Sequence, residues 1–312
     1  MELVELGGRG QPPRKRVLPT ARPDEEDPHR VESTSLTGAP DGSTIDDVAR
    51  GARTFEAATA VEAYDRHVGR YAPALSRAHV RLLELRKGDD ALEIGCGPGA
   101  LTEVLVQTVG AGHVFAVEPS EPFAEACRRR APGADVRVGS AEELPDFGRA
   151  FAAATSQLVL NFLSDADVGV RAMCGAVRPG GVIASVVWDY RGGMRMLRAF
   201  WDAALELDRH APDEGRTMAH CTTAGLHALW RRAGLERIQT GELVVDARYA
   251  DFDDFWAPFT TGLAPSGAYC ASLEPDDREA LRTTCFRRLG SPEGPFVLEA
   301  RAWSVRGAVA RR

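Results

Sequence analysis

Glu93, Gly95, Gly97 and Gly99 stand at alternate positions in Asp90-Ala-Leu-Glu-Ile-Gly-Cys-Gly-Pro-Gly-Ala-Leu-Thr, and Glu118 follows Gly95 by 23 residues. The run reads as a strand ending at Ile94, a tight glycine turn through Cys96, and a helix from Ala100. Glycine suits such a turn because it accepts positive φ and lets a ligand approach where a Cβ would collide. A carboxylate such as Glu118, at the end of the next strand, can accept both hydroxyls of an adenosine ribose.

Two cofactor classes meet these requirements. Gly95, Gly97 and Ala100 satisfy the G-x-G-x-x-G/A pattern of dinucleotide sites, where an anionic pyrophosphate rests on the helix N-terminus. Glu93, two residues before the first glycine, disfavours that anion. An acid there suits the ammonium and sulfonium of S-adenosylmethionine (SAM). Glu118 serves either ligand.

These residues need a scaffold with several parallel strands. Strands are predicted at Asp90–Ile94, His113–Val117, Asp135–Val138, Ala152–Leu160 and Val182–Trp188. Helices near Ala100–Thr108, Pro122–Arg130 and Asp165–Val177 alternate with them, the signature of βαβ units. A helical pattern over Phe55–Leu85, broken at Pro73, precedes the first strand. A mostly helical stretch runs from Trp188 to Ala233. A strand at Glu236–Tyr249, a helical insertion at Asp251–Leu289 and a strand at Phe296–Val305 complete the chain. The expected fold is α/β, a doubly wound, seven-stranded, mostly parallel sheet of Rossmann-like type. Its last strand is antiparallel and inserts beside Glu236–Tyr249. Residues 1–50 are rich in Pro, Gly, Arg and Asp and poor in large apolar side chains, which predicts a disordered or mobile tail ahead of one domain over 51–312.

In this order the motifs resemble those of class I SAM-dependent methyltransferases, particularly the small-molecule group with the E/D-x-G-x-G-x-G motif. Glu93, Gly95, Cys96, Gly97 and Gly99 match the first motif, and Glu118-Pro119-Ser120 matches the ribose acid and its turn. Gly139-Ser-Ala-Glu-Glu-Leu-Pro matches the adenine-facing loop, which assigns Ser140, Ala141 and Glu142 to the cofactor. Ser140 replaces the usual Asp there, so a hydroxyl stands in for a carboxylate. Phe151-Ala152 replaces the frequent Phe-Asp on the fourth strand. Arg178-Pro-Gly-Gly matches the turn before the fifth strand. Tyr64, Arg70 and Tyr71 lie in a segment resembling the helix that closes over the cofactor, with Arg70 able to pair bidentately with the SAM carboxylate. Gln157, late on the fourth strand, is assigned to the methionine part of SAM.

The resemblance implies an enzyme that moves a methyl group from SAM to an O, N or C nucleophile of a small molecule, such as a specialised metabolite. The acceptor should meet the carboxyl edge of the sheet, where ligands of open α/β sheets bind. Lid insertions over about 190–220 and 251–295 leave that edge, and Trp188, Tyr190, Trp256 and Tyr269 are the expected acceptor lining. His67, Asp189 and His220 are the candidate bases, but an activated sulfonium needs a base only when the acceptor enters protonated, so no catalytic residue is assigned. An NAD(P)-dependent oxidoreductase and a non-catalytic SAM-fold partner protein remain as alternatives.

Composition narrows the partners. The chain of 312 residues is 44% apolar and 27% charged with a formal net charge of −7, which argues against a broad nucleic-acid footprint. The fourth strand ends without the Asn/Asp-Pro-Pro-Tyr/Phe run that grips nucleobase amino groups. No apolar run approaches the ~20 residues that span a bilayer. The six scattered cysteines form no C-x-x-C pair, which predicts reduced, packed thiols and no metal site. A cytoplasmic monomer or homodimer acting on a small-molecule acceptor, without nucleic acid or membrane, is the expectation.

Overall fold

The computed structural model describes residues 60–311, so the tail expected over 1–50 lies outside the described residues. Seven strands form one sheet in the order β3-β2-β1-β4-β5-β7-β6. They are β1 (Ala91–Ile94), β2 (Val114–Glu118), β3 (Ala134–Val138), β4 (Phe151–Gln157), β5 (Val177–Trp188), β6 (Glu236–Tyr249) and β7 (Phe296–Ala308). The first five pair in parallel. β7 runs antiparallel between β5 and β6, with Ser185 opposite Val305 and Leu243 opposite Ala302. The expected fold class is therefore the observed one.

The central strands are apolar on both faces because helices cover both, as parallel sheets require. All four residues of β1 and all five of β2 are buried. The helices between them are α3 (Ala100–Val109), α4 (Glu121–Arg130) and α5 (Ala166–Ala176). In α3, Leu101, Leu105 and Val109 recur at helical steps and pack against Leu83, Val114 and Ala184. α5 begins where the Asp165 carboxylate accepts from Val168 N at 3.0 Å, an N-cap of a kind that contributes about 1 kcal/mol.

β5 starts at Val177, earlier than expected. The Arg178-Pro-Gly-Gly segment lies inside the strand and shifts its register against β4 between Phe151 and Ala153. Ahead of the sheet, α1 (Ala60–Arg66) and α2 (Ala72–His79) are separated by a 3-10 turn over Val68–Tyr71. Pro73 falls in the first turn of α2, where a missing N–H costs nothing. After β5 come α6 (Arg195–Leu207), α7 (Glu214–Thr217) and α8 (Thr223–Arg232). Between β6 and β7 lie α9 (Phe252–Trp256), α10 (Ala264–Ser272) and α11 (Pro275–Arg288). The order of strands reverses between β1 and β4, and the glycine segment is the turn that leaves the carboxyl end of β1 there. Among the described residues no helix is long and apolar enough to cross a membrane.

Candidate functional site

The turn after β1 is tied to β2 through its backbone: Gly95 N and Cys96 N both donate to Val117 O, at 2.8 and 3.1 Å. Gly97 and Gly99 have φ of +52° and +91°, where a side chain is strained. A Cβ on Gly99 would come within 3.0 Å of the Cys127 Cα, so that glycine lets α3 and α4 approach closely. A Cβ on Gly97 would meet no atom within 4 Å, so that position faces open space. Glu118 joins the two features. Its carboxylate accepts from Gly97 N at 2.9 Å and from Ser120 N at 3.1 Å. Burial raises its pKa above the ordinary carboxylate value, opposed by those two backbone N–H groups. Glu118, expected from the sequence to receive a ribose, is thus held against the glycine turn, at the carboxyl end of β2.

Glu93 is placed differently from the sequence reading. It is 1% exposed, behind the turn, and its carboxylate accepts from Thr102 Oγ1 at 2.7 Å. The Cys127 thiol in turn donates to the same hydroxyl at 3.2 Å. Burial drives the Glu93 pKa well above the carboxylate range, and the nearby Cys127 adds to it. Hidden here, the acid braces β1 against α3 through Thr102. Burial disfavours the charge on which the sequence reading separated SAM from a dinucleotide.

The remaining cofactor candidates divide. Tyr64 packs edge-on against Phe123, just beyond Glu118 on α4, at 5.8 Å. Cys96 and Ala141 are buried beside the turn and the adenine-loop position, while Pro119 is exposed. The Ser140 hydroxyl oxygen accepts from Glu143 N at 3.0 Å, and Glu142 accepts from Ser164 Oγ at 3.1 Å. Both side chains thereby shape their own loop. Arg70, expected to pair with a ligand carboxylate, instead binds Asp254 with both nitrogens at 3.1 and 3.2 Å. It also donates to the carbonyls of Arg66 and Arg248 and lies 4.2 Å over the Tyr249 ring. Tyr71 turns the same way and shares a 3.0 Å hydrogen bond with Tyr249. Gln157 bonds Ser76 at 3.0 Å and His79 at 3.3 Å, fastening β4 to α2.

The two insertions pack on one another. Phe200 of α6 stacks on Phe259 at 4.5 Å and on Trp256 at 6.2 Å, and Tyr269 meets Trp201 at 5.5 Å. His67 stands edge-on to Phe259 at 5.0 Å, and Phe123 clusters with Leu263. The 251–295 insertion thus reaches α1 and the start of α4, at the edge holding Glu118. Trp256 itself is only 6% exposed, built into an aromatic core with Phe252 and Phe200. Trp188 is buried under Tyr71, and the Tyr190 hydroxyl meets Asn161 Nδ2 at 3.4 Å.

Of the candidate bases, Asp189 is held by Arg301 at 2.7 Å. His220 is half-buried with a positive φ of 58°. His67 is buried, and desolvation lowers its pKa to about 3, aided by Arg70. Among the described residues four buried side-chain polar atoms make no hydrogen bond: His67 Nδ1, Asn161 Oδ1, Trp188 Nε1 and Tyr269 Oη. Such atoms normally cost about 1–3 kcal/mol each and call for an explanation. All four lie on elements at or over the carboxyl edge of the sheet, and Asn161 was not among the sequence candidates. Its signal would have been its place, four residues beyond Gln157 on the turn leaving β4.

Comparison with known proteins agrees with this architecture. Residues 91–181, from β1 into β5, match the family described as a methyltransferase domain. The trans-aconitate 2-methyltransferase of Rhizobium rhizogenes is 38% identical over 103 residues, covering 32% of this chain and 39% of the relative. The chain spans less than half the length of the curated relatives it matches. Among solved structures, a candidate type II methyltransferase from Anaeromyxobacter dehalogenans superposes with a TM-score of 0.55 at 21% identity, over 78% of this chain and 98% of that one. A Haemonchus contortus phosphoethanolamine N-methyltransferase, solved with phosphomonomethylethanolamine and S-adenosylhomocysteine, does so with a TM-score of 0.52 at 14% identity, over 88% and 62%. At these identities the structural likeness establishes the fold.

Proposed function

We propose that this chain, a class I SAM-dependent methyltransferase by its matched domain and its sheet, methylates an O, N or C nucleophile of a small molecule. The observation that carries this reading is the match of residues 91–181 to a methyltransferase domain, within which Glu118 is held by Gly97 N beside the open face of the glycine turn. That arrangement fits the group: the turn presents backbone without side chains, and a carboxylate stands where ribose hydroxyls would donate. Gly95, Gly97 and Glu118 would hold the nucleoside, with Ser140 and Ala141 toward its base.

SAM supplies a methyl group already activated by the sulfonium. The chain's own task is then to align a lone pair behind that methyl and to exclude water, effects that can contribute many orders of magnitude in rate. The insertions 190–220 and 251–295, joined by Phe200, Phe259 and Trp256, are the cover suited to that exclusion. The curated relative acts on trans-aconitate, a small polar acceptor, which supports a small-molecule reading. Six free thiols, five of them buried, fit a reducing cytoplasm.

Calorimetry with S-adenosylhomocysteine, thermal shift against NAD, and transfer of labelled methyl to an acceptor panel test the proposal. Binding of S-adenosylhomocysteine together with labelled product is the expected result. Stabilisation by NAD alone would overturn it. Cofactor binding without transfer to any acceptor would favour the non-catalytic partner.

A further inference from the structure

The connection that leaves the carboxyl end of β5 holds a cleft of about 330 Å³ lined by Arg191, Arg198, Asp213, Gly215 and Arg216. Its floor is a built ion pair. Arg198 Nη1 meets Asp213 Oδ1 at 2.6 Å, with side chains only 13% and 6% exposed. Arg198 also binds Asp202 and donates to the Tyr190 carbonyl at 3.3 Å, which ties the turn after β5 to α6. Asp213 accepts from Gly215 N at 2.8 Å as well. A Cβ on Gly215 would lie 2.7 Å from both Arg198 Nη1 and Tyr190 O, so this close approach depends on glycine.

The walls differ from the floor. Asp213 and Asp202 oppose the charge of Arg198, whereas the exposed guanidiniums of Arg191 and Arg216 show no hydrogen bond or ion pair among the described residues. Two guanidiniums without an ion pair therefore line one concavity in a chain whose formal net charge is −7. A pair of planar forks around a rigid floor is the arrangement that recognises carboxylates bidentately. Arg191 stands three residues after β5 ends at Trp188, on the connection that leaves the sheet edge where the acceptor is expected.

We propose that this cleft is a subsite for a carboxylate group of the acceptor, so that the enzyme methylates small anionic molecules. The proposal rests on the methyltransferase reading but has its own test. Citrate, as a carboxylate probe, and inorganic phosphate are titrated into the full chain at constant ionic strength, with and without S-adenosylhomocysteine. Arg191→Ala, Arg216→Ala and their double variant are compared with wild type. Both side chains are exposed, so folding should survive, and unchanged S-adenosylhomocysteine affinity verifies it.

Citrate should bind wild type and lose about tenfold or more in affinity in the double variant. In turnover, the double variant should raise KM for a carboxylate acceptor and leave kcat and the KM of its neutral methyl ester nearly unchanged. Citrate binding that is absent, or equal in wild type and double variant, would overturn the subsite. Phosphate binding without citrate binding would overturn the carboxylate assignment. Failure of S-adenosylhomocysteine to bind while citrate still depends on Arg191 and Arg216 would sink the methyltransferase reading and keep an anion site.

Discussion

Replacing Glu214 by Gln should flatten the dependence of stability on pH. Glu214 is 3% exposed, and its carboxylate accepts from Trp201 Nε1 at 2.7 Å. Burial pushes its pKa from 4.5 up to about 7, against the opposing Trp201 hydrogen bond, with Asp213 adding to the rise. The folded chain therefore keeps this proton after the unfolded chain has released it. Stability is present in full below about pH 4.5 and is lost as pH rises through about 7. Fully developed, the loss is about 3 kcal/mol, and about 2.5 kcal/mol of it falls between about pH 5 and about pH 8. Gln keeps an oxygen for the indole N–H and has no proton to lose. Urea denaturation of both proteins at those two pH values, followed by tryptophan fluorescence, isolates the effect as a difference of differences. Wild type should lose about 2.5 kcal/mol more than the variant on going to the higher pH. Equal losses in the two proteins would show that Glu214 ionises normally and that its burial has been misjudged.

Other outcomes follow from the same geometry. Glu118→Ala should weaken S-adenosylhomocysteine binding by about tenfold or more, because charge-assisted hydrogen bonds are worth ~1.5–3 kcal/mol each; calorimetry showing equal affinity would remove it from the site. Glu93→Gln should leave that affinity within about twofold, since an amide of the same shape keeps an oxygen for Thr102 behind the turn; a loss of tenfold or more would restore the charged reading. Trp256→Ala should cost about 3–5 kcal/mol of stability by urea denaturation, as expected for an aromatic removed from a packed core; a loss below about 1 kcal/mol would place Trp256 in a cavity wall. His67 binds its proton near pH 3 when folded and near 6.5 when unfolded, so its contribution is lost as pH falls below 6.5. His67→Gln should abolish about 2 kcal/mol of the acid destabilisation between about pH 6.5 and about pH 4.5, read as the wild-type minus variant difference.

Local sequence determined the sheet and the glycine turn. Alternating apolar runs and glycine punctuation depend on near neighbours, so β1, β2 and β6 fall within one residue of their predicted bounds. The position of Glu118 was legible for the same reason: a strand end followed by a turn fixes where its carboxylate sits. The antiparallel β7 was legible from the alternation of Leu298, Ala300 and Ala302. Side-chain partners across the chain were not. Arg70 could be placed near the edge, but its choice of Asp254, 184 positions away, depends on how the later insertion packs. Glu93 looked like a charge beside a ligand and lies buried as a brace, because Thr102 and Cys127 close over it only in the folded chain. The arginines at 191, 198 and 216 stand in plain view in the sequence. Which of them keeps an unopposed charge was decided only when Asp213 and Asp202 reached Arg198. Periodicity and turn chemistry are properties of neighbours in the chain, whereas the charge and exposure of a functional group are set by whatever the tertiary structure brings against it.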